Sequence, residues 1–69
     1  MEFILGIQLK IYREKSGLSQ SQLAAKLNIS QQAVSKWENG KTFPDIQNLI
    51  LLSNIFQITL DELVMVSKI

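Results

Sequence analysis

The chain has 69 residues, with seven basic side chains, six acidic ones and neither Cys nor His. This length predicts one small domain over residues 1–69, and the missing Cys and His exclude disulfides and remove the commonest metal ligands and general base. We therefore expect no metal site, no cofactor and no enzyme. No apolar run approaches the ~20 residues of a membrane span, and no basic cluster precedes the first apolar residues, so we expect a cytoplasmic protein without a membrane partner.

The charges are unevenly distributed along the chain. Residues 10–41 carry six basic and two acidic side chains, whereas residues 1–9 have a net charge of −1 and residues 42–69 a net charge of −2. A basic end is what a single phosphate-facing surface requires. An ordinary solvated surface would account for these charges about equally well, so the motifs carry the argument.

The first predicted helix covers residues 3–16. Its apolar residues with the i, i+4 and i+7 spacing of a core-facing side are Leu5, Leu9 and Tyr12. Ile7 and Ile11 fall on a different side of the helix, and Gly17 is placed to end it.

Two short helices joined by a tight turn are predicted over residues 20–39, QSQLAAKLNISQQAVSKWEN. Ser19 and Gln22 have the spacing of a capping box at the start of the first helix, and Ser30 can cap the second. Asn28 falls at the turn, where it tolerates a left-handed backbone better than most residues. The pattern therefore predicts a helix, a turn and a second helix.

The second helix of this pair has two sides of different chemistry. Val34 and Trp37 form an apolar side, and Gly40 follows as the residue that ends the helix. The other side presents amides, a hydroxyl and an ammonium, here called the polar row: Gln31, Gln32, Ser35 and Lys36. A solvated helix more often carries Glu–Lys pairs, whereas a helix in the DNA major groove needs reach, hydrogen-bonding capacity and little negative charge. The polar row therefore predicts duplex DNA as the partner.

Two further helices are predicted after a loop that contains Pro44. Asp45 can cap a helix over residues 46–56, where seven of eleven residues are apolar, too many for a single stripe. Thr59 and Glu62 have the spacing of another capping box. The last short helix then has an apolar face made of Leu60, Leu63 and Val64.

The residues GLSQSQLAAKLNISQQAVSKWENGK resemble the helix-turn-helix of the phage repressor and Cro proteins and of the xenobiotic-response-element family of bacterial regulators. The later run PDIQNLILLSNIFQITLDEL is similar to the last two helices of that family, so the resemblance covers nearly the whole chain. It implies an all-α, five-helix, lambda-repressor-like DNA-binding domain with its helix-turn-helix at residues 20–39. It also implies a sequence-specific transcriptional regulator of duplex DNA, a repressor or Cro-like protein.

The resemblance assigns DNA-contacting roles residue by residue. The positions that match base-reading residues are Gln31, Gln32 and Lys36, with Ser35 as either a further contact or a filler on an exposed face. The positions that match residues holding the sugar–phosphate backbone are Gln20, Ser30, Asn39 and Lys41. A Gln amide has a donor and an acceptor spaced to match adenine N6 and N7, so at least one of the two glutamines should read an A·T pair.

The resemblance also implies contacts inside the domain. Arg13 and Glu38 match positions that the family often links by a partly buried ion pair. The positions that match inward-facing residues of the fourth helix are Ile46, Leu49, Leu52, Ser53 and Phe56. The apolar residues left to face outward are Leu51 and Ile55. Ile7 and Ile11 stand where the family usually has charged residues, which suggests a second covered face on the first helix.

A homodimer is expected through the carboxy-terminal end, because related domains pair through the loop before the last helix and that helix itself. The residues expected there are Leu60, Leu63 and Val64, with the outward pair Leu51 and Ile55 and the apolar tail 65–69 beside them. Two-fold pairing would place the second helices of the two motifs ~34 Å apart, which is one turn of B-DNA. The dimer would then read a palindromic operator. Ile7 and Ile11 could join this interface or form another, and the sequence leaves that open.

Two other classes of function are weighed against DNA binding. The same fold could serve as a protein-interaction module, an antitoxin or anti-repressor whose main partner is a protein, but a pure interaction module should lack the polar row. An enzyme has almost no support, because Asp45, Asp61 and Glu62 stand at helix-capping positions and form no acid–base pair.

Overall fold

The computed structural model describes residues 4–64. Within them the chain forms five helices and no strand: α1 (Ile4–Lys15), α2 (Gln20–Leu27), α3 (Gln31–Glu38), α4 (Ile46–Phe56) and α5 (Leu60–Val64). The predicted all-α, five-helix fold is confirmed. None of these five helices is long and apolar enough to cross a membrane. The tail 65–69, expected beside a dimer interface, lies outside the described residues.

Local hydrogen bonds explain where α2 and α3 begin and end. Gln22 N donates to Ser19 Oγ at 3.0 Å while Ser19 N donates to Gln22 Oε1 at 2.8 Å, so the predicted capping box is present. Asn28 ends α2 in the left-handed conformation, with a φ of 60° and a ψ of 43°. Ser30 Oγ then accepts from Ala33 N at 3.2 Å at the start of α3. The predicted helix, turn and second helix are confirmed.

The ends of α4 and α5 follow the same local rules, with one exception. Asn48 N donates to Asp45 Oδ1 at 2.9 Å, and Glu62 N donates to Thr59 Oγ1 at 3.0 Å, so both predicted caps are present. Gln57 ends α4 in the left-handed conformation, with a φ of 58°. Its residue type did not predict this role, because Gln has no special preference for positive φ.

Each helix contributes one fully buried side chain to a common core: Leu9, Leu23, Val34, Leu52 and Leu63. Trp37 is only 6% exposed, which confirms its predicted place in the core. The rings of Tyr12 and Phe56 stack on each other as part of the same core, with centroids 5.9 Å apart. Burying an aliphatic side chain of this size stabilises the fold by ~1.5–3 kcal/mol, so all five helices depend on one another through this core.

Helix α4 turns a different side to the core than expected. Ile46, expected to face inward, is 62% exposed, whereas Ile55, expected to face outward, is half-buried against the core. The other predicted inward residues are buried or half-buried: Leu49, Leu52, Ser53 and Phe56. Ile46 is the first residue of α4, and the loop before it contains the exposed residue Phe43. This end of α4 is therefore less covered by the rest of the domain than the middle of the helix. Leu51 is exposed, as predicted.

A buried ion pair joins α1 to the end of α3. Arg13 Nε donates to Glu38 Oε2 at 2.6 Å and Arg13 Nη2 to Glu38 Oε1 at 3.2 Å, and their side chains are 10% and 3% exposed. Arg13 Nη1 also donates to the carbonyl oxygen of Leu18 at 2.8 Å. The predicted Arg13–Glu38 contact is confirmed, in the two-bond geometry that makes such pairs strong.

The ion pair changes the acid–base chemistry of Arg13. The hydrogen bond with Glu38 raises the pKa of the Arg13 guanidinium; burial opposes this change, and the negative charge of Glu38 adds to it. Because the folded-state pKa of Arg13 is the higher one, deprotonation of Arg13 removes its contribution to stability only in strongly alkaline solution, as the pH rises through that folded-state pKa.

Helix α1 approaches the end of α3 closely at Gly6. A Cβ built on this residue would lie 2.5 Å from the carbonyl oxygen of Trp37 and 2.9 Å from that of Glu38. Both are backbone atoms, which cannot move aside as a flexible side chain can. Only glycine therefore fits at this crossing, and the sequence pattern contained no signal for it.

Replacing Arg13 by Met removes the cation but keeps a long apolar side chain. Glu38 would then remain buried with an unpaired charge, so we expect the free energy of unfolding to fall by ~3–5 kcal/mol in urea denaturation. The matched control is Lys10→Met, at an exposed position of the same helix, which should change it by less than ~0.5 kcal/mol. Equal small effects for the two variants would show that the ion pair is not buried in solution.

Gly6→Ala tests the close crossing of α1 and α3. In an exposed helix interior this change stabilises by ~0.5–1 kcal/mol, because Ala has the better helix propensity. At Gly6 the added methyl would force the two backbones apart, so we expect a net loss of ~1–3 kcal/mol and a lower melting temperature. A higher melting temperature would contradict the close approach.

Candidate nucleic-acid interface

Helix α3 is held by the protein on one side and open to solvent on the other. Val34 and Trp37 are buried in the core, and Glu38 is held in the ion pair. Three members of the polar row are exposed to solvent: Gln31, Gln32 and Lys36. A helix supported in this way can present side chains to a large ligand without losing its own position.

The fourth member of the polar row has less free surface. Ser35 is half-buried, as is Ala33 beside the row. The two roles considered for Ser35, a contact or a filler, both remain predictions.

The candidate backbone-holding residues lie at the ends of α2 and α3. Ser30, Asn39 and Lys41 are exposed, and Gln20 is half-buried. Ser30 Oγ accepts the capping bond from Ala33 N, which leaves its hydroxyl hydrogen free to donate to a phosphate. These residues therefore border the polar row and retain donors of the kind that phosphate contacts use.

Gln20 has protein partners that the sequence did not predict. Its Nε2 donates to Glu38 Oε1 at 3.0 Å, and its Oε1 accepts from Gln31 Nε2 at 3.3 Å. Ser21 Oγ in turn donates to Gln31 Oε1 at 3.2 Å. One amide hydrogen of Gln20 is thus used inside the protein, and the second is left for a phosphate. Sequence spacing contains no signal for a contact between these two helices.

The electrostatic character of this surface follows from where the acids lie. Glu38 is the only acidic residue between positions 16 and 44, and its side chain is 3% exposed and paired with Arg13. Three lysines in the same stretch are exposed: Lys26, Lys36 and Lys41. The stretch that contains α2 and α3 therefore presents exposed positive charge and no free carboxylate of its own, which favours a polyanionic ligand.

The described residues contain no group of three or more His, Cys, Asp or Glu side chains that could hold a metal ion. The buried carboxylate, Glu38, is fully engaged by Arg13 and Gln20. The geometry of this surface is suited to hydrogen bonding and charge pairing.

The three residues expected at a dimer interface differ in how much surface they leave free. Leu63 is fully buried within the protomer, Leu60 is half-buried against the core, and Val64 is 39% exposed. Leu63 therefore has no side-chain surface to offer a partner, because the core of its own domain already uses it. The other large apolar residues that are exposed in the described region are Ile7, Ile11, Phe43, Ile46, Ile50 and Leu51.

Comparison with known proteins agrees with the geometry of this surface. The profile of the helix-turn-helix family matches residues 9–63. The chain is 43% identical over 56 residues to the HTH-type transcriptional activator BcrR of Enterococcus faecalis, covering 81% of this chain and 28% of that protein. It is 39% identical over 59 residues to the HTH-type transcriptional regulator ImmR of Bacillus subtilis strain 168, covering 86% of this chain and 46% of that protein.

A phage protein is among the relatives as well. The chain is 32% identical over 60 residues to Repressor protein C2 of Salmonella phage P22, covering 87% of this chain and 28% of that protein. The chain thus spans less than half the length of each of these three relatives. The three relatives are named as a transcriptional activator, a transcriptional regulator and a repressor, and none is named as an enzyme, so the predicted family is confirmed. The chain belongs to the Cro/C1-type helix-turn-helix family of transcriptional regulators.

Proposed function

We propose that this domain binds a palindromic operator in duplex DNA as a homodimer, with α3 in the major groove, and represses transcription there. The observation that carries the proposal is the polar row: four polar side chains, three of them exposed and none acidic, on a helix that is fixed in the core by its apolar residues. This fixed support matters because a base contact discriminates only if its donor and acceptor are held in place.

Base reading is assigned to three exposed members of the polar row, Gln31, Gln32 and Lys36, with the half-buried Ser35 as a secondary contact. A Gln amide pairs with adenine N6 and N7, and a lysine ammonium reaches guanine O6 and N7 or a phosphate. Gln32 and Lys36 are four residues apart, so they follow one another along the same side of α3. Ala33, beside them, is small enough to contact a thymine methyl group.

Backbone contacts are assigned to Gln20, Ser30, Asn39 and Lys41. At the ends of α2 and α3, these side chains would bind the phosphates on either side of the groove. They would thereby fix the position of the polar row along the DNA. The ammonium of Lys41 supplies charge, and the other three supply directed donors.

The homodimer is proposed to form through the exposed residues Leu51 of α4 and Val64 of α5, with Leu60 beside them. Helix α4 carries no charged residue from Ile46 to Phe56. Two copies of its outward side can therefore face each other across a two-fold axis without like-charge repulsion. Burying these apolar side chains against a second copy would remove them from water.

Repression requires nothing beyond occupancy of the DNA, because a dimer bound across a promoter excludes the polymerase. Two of the relatives are named as an activator and a repressor, so the direction of regulation needs its own test. A reporter with the selected operator inside its promoter should lose transcription when the protein is supplied, and a gain would contradict repression. Duplex DNA as the partner implies action in the cytoplasm.

Selection of duplex sites from random DNA, at a stated salt concentration, provides the operator for a mutational test. Gln32→Ala should weaken binding to the selected site by ~1–3 kcal/mol, about 5- to 150-fold, and leave binding to random DNA nearly unchanged. Lys41→Ala should weaken binding to both alike and reduce the salt dependence by roughly one phosphate contact per subunit. If the two variants behave in the same way, Gln32 holds the backbone and does not read a base.

The dimer is tested by placing a charge on the proposed interface. Leu51→Glu and Val64→Glu should each raise the dimer dissociation constant in equilibrium sedimentation by roughly tenfold or more, because two equal charges would be buried across the two-fold axis. Ile7→Glu, at an exposed apolar position of α1, is the matched control and should have no effect. Dissociation by the α1 variant alone would move the interface to α1, and a wild-type monomer bound to DNA would contradict the dimer.

A further inference from the structure

We propose that Glu38, besides pairing with Arg13, is a positioning residue for base reading: through Gln20 it fixes which way round the amide of Gln31 faces the DNA. This inference rests on the proposed function, in which Gln31 contacts a base. It concerns how a buried carboxylate determines the donor and acceptor pattern at the protein surface.

The three side chains form a continuous series of hydrogen bonds, here called the amide relay: Glu38, Gln20 and Gln31. Glu38 Oε1 accepts from Gln20 Nε2 at 3.0 Å, and Gln20 Oε1 accepts from Gln31 Nε2 at 3.3 Å. The relay begins in the interior, where Glu38 is also bound by Arg13, and ends at the first residue of α3, which is exposed. It crosses from α3 to α2 and back to α3.

The direction of every bond in the relay follows from its buried end. A carboxylate facing a guanidinium can only accept hydrogen bonds, and Glu38 lies against the guanidinium of Arg13, which can only donate. Gln20 must therefore turn its NH₂ group toward Glu38 and its oxygen toward Gln31. Gln31 must in turn present its NH₂ group to that oxygen. Reversing either amide would place two acceptors against each other with no proton between them.

The fixed direction has a consequence for what Gln31 offers to DNA. One hydrogen of its NH₂ group is used by Gln20, and one lone pair of its oxygen is used by Ser21. One hydrogen and one lone pair remain, in a known order along the amide, and adenine N7 and N6 need such a donor and acceptor in one order only. A free glutamine can rotate its amide by half a turn and present the opposite order. The amide relay removes that choice before DNA binds.

The ion pair alone does not require this arrangement. Arg13 already donates two hydrogen bonds to Glu38, so Gln20 could point to solvent without leaving the carboxylate unpaired. A variant that breaks the relay at Gln20 should therefore leave the fold and the ion pair intact. This separation makes the positioning role measurable.

The test measures binding of each variant to the selected operator and to all of its single base-pair changes. Gln31→Ala first identifies the base pair that Gln31 reads. Gln20→Met, which keeps the side-chain length but has no donor or acceptor, should then reduce discrimination at that base pair by roughly 5- to 10-fold. Discrimination at the base pair read by Gln32 should remain. Gln47→Met, at an exposed position of α4, is the matched control and should leave the whole profile unchanged.

A rescue variant separates the relay from a simple phosphate contact. In the double variant Gln20→Glu with Glu38→Gln, residue 20 again accepts from the NH₂ group of Gln31, so discrimination at its base pair should return even though the new charge weakens binding to all DNA. In the free protein, the side-chain NH₂ signals of Gln31 in NMR spectra should show slowed hydrogen exchange that is lost in Gln20→Met.

Each outcome decides between the alternatives. If Gln20→Met weakens binding to every sequence equally and leaves the profile unchanged, Gln20 is a phosphate contact only and the positioning role of Glu38 is wrong. If the wild-type protein has no sequence preference, the proposed function fails and the base-reading role falls with it. In that case the NMR measurement would still show whether the relay orders Gln31. Failure of the relay alone would instead leave an unchanged preference for the selected operator.

Discussion

The recognition surface depends on a pair of charges that meet in the interior, Arg13 of α1 and Glu38 at the end of α3. Arg13 also binds the carbonyl oxygen of Leu18, just before α2, so one guanidinium connects α1 with both helices of the motif. Gly6 allows α1 to lie close enough to the end of α3 for this contact. Breaking such a pair from one side is expensive, because the remaining charge cannot reach water.

The same pair also controls the charge that the domain presents to its ligand. A net charge of only +1 is weak for a protein that binds a polyanion. The one acid in the motif is neutralised and buried, however, and the lysines around it are exposed. The stretch that contains the motif is therefore locally positive although the net charge of the chain is small. Local charge matters most because salt screens the attraction between phosphates and distant charges.

The two sides of α3 have separate roles: one holds the helix in the domain, and the other presents polar side chains to solvent. Val34 and Trp37 fix the helix in the core, so the energy that holds it does not come from the residues proposed to face the DNA groove. The polar row can then be chosen for its hydrogen-bonding pattern alone. The chain spans less than half of each of the three relatives named above, and in this domain the recognition chemistry and the core that supports it lie within one set of five helices.

Most of the fold and much of the candidate site were predictable because their causes are local in sequence. Ser19 with Gln22, Asn28, Ser30 and Asp45 set helix ends through bonds to residues at most a few positions away. The apolar side of α3 was equally clear, since its few apolar residues allow one inward face only. The polar row then followed as the polar residues of α3 that this apolar side does not include.

Only the tertiary structure decided the contacts between residues that are distant in sequence and the choice among equivalent helix faces. Seven apolar residues in eleven gave α4 no unique inward side, and the neighbours it packs against left Ile46 exposed and covered Ile55. Leu63 was assigned to a partner, but the core of its own domain buries it. The need for glycine at position 6 and the bonds from Glu38 through Gln20 to Gln31 depend on distances between helices. Periodicity and capping rules describe one helix at a time, so the sequence alone determined the helices and their surface chemistry, and packing determined which of those surfaces remain free.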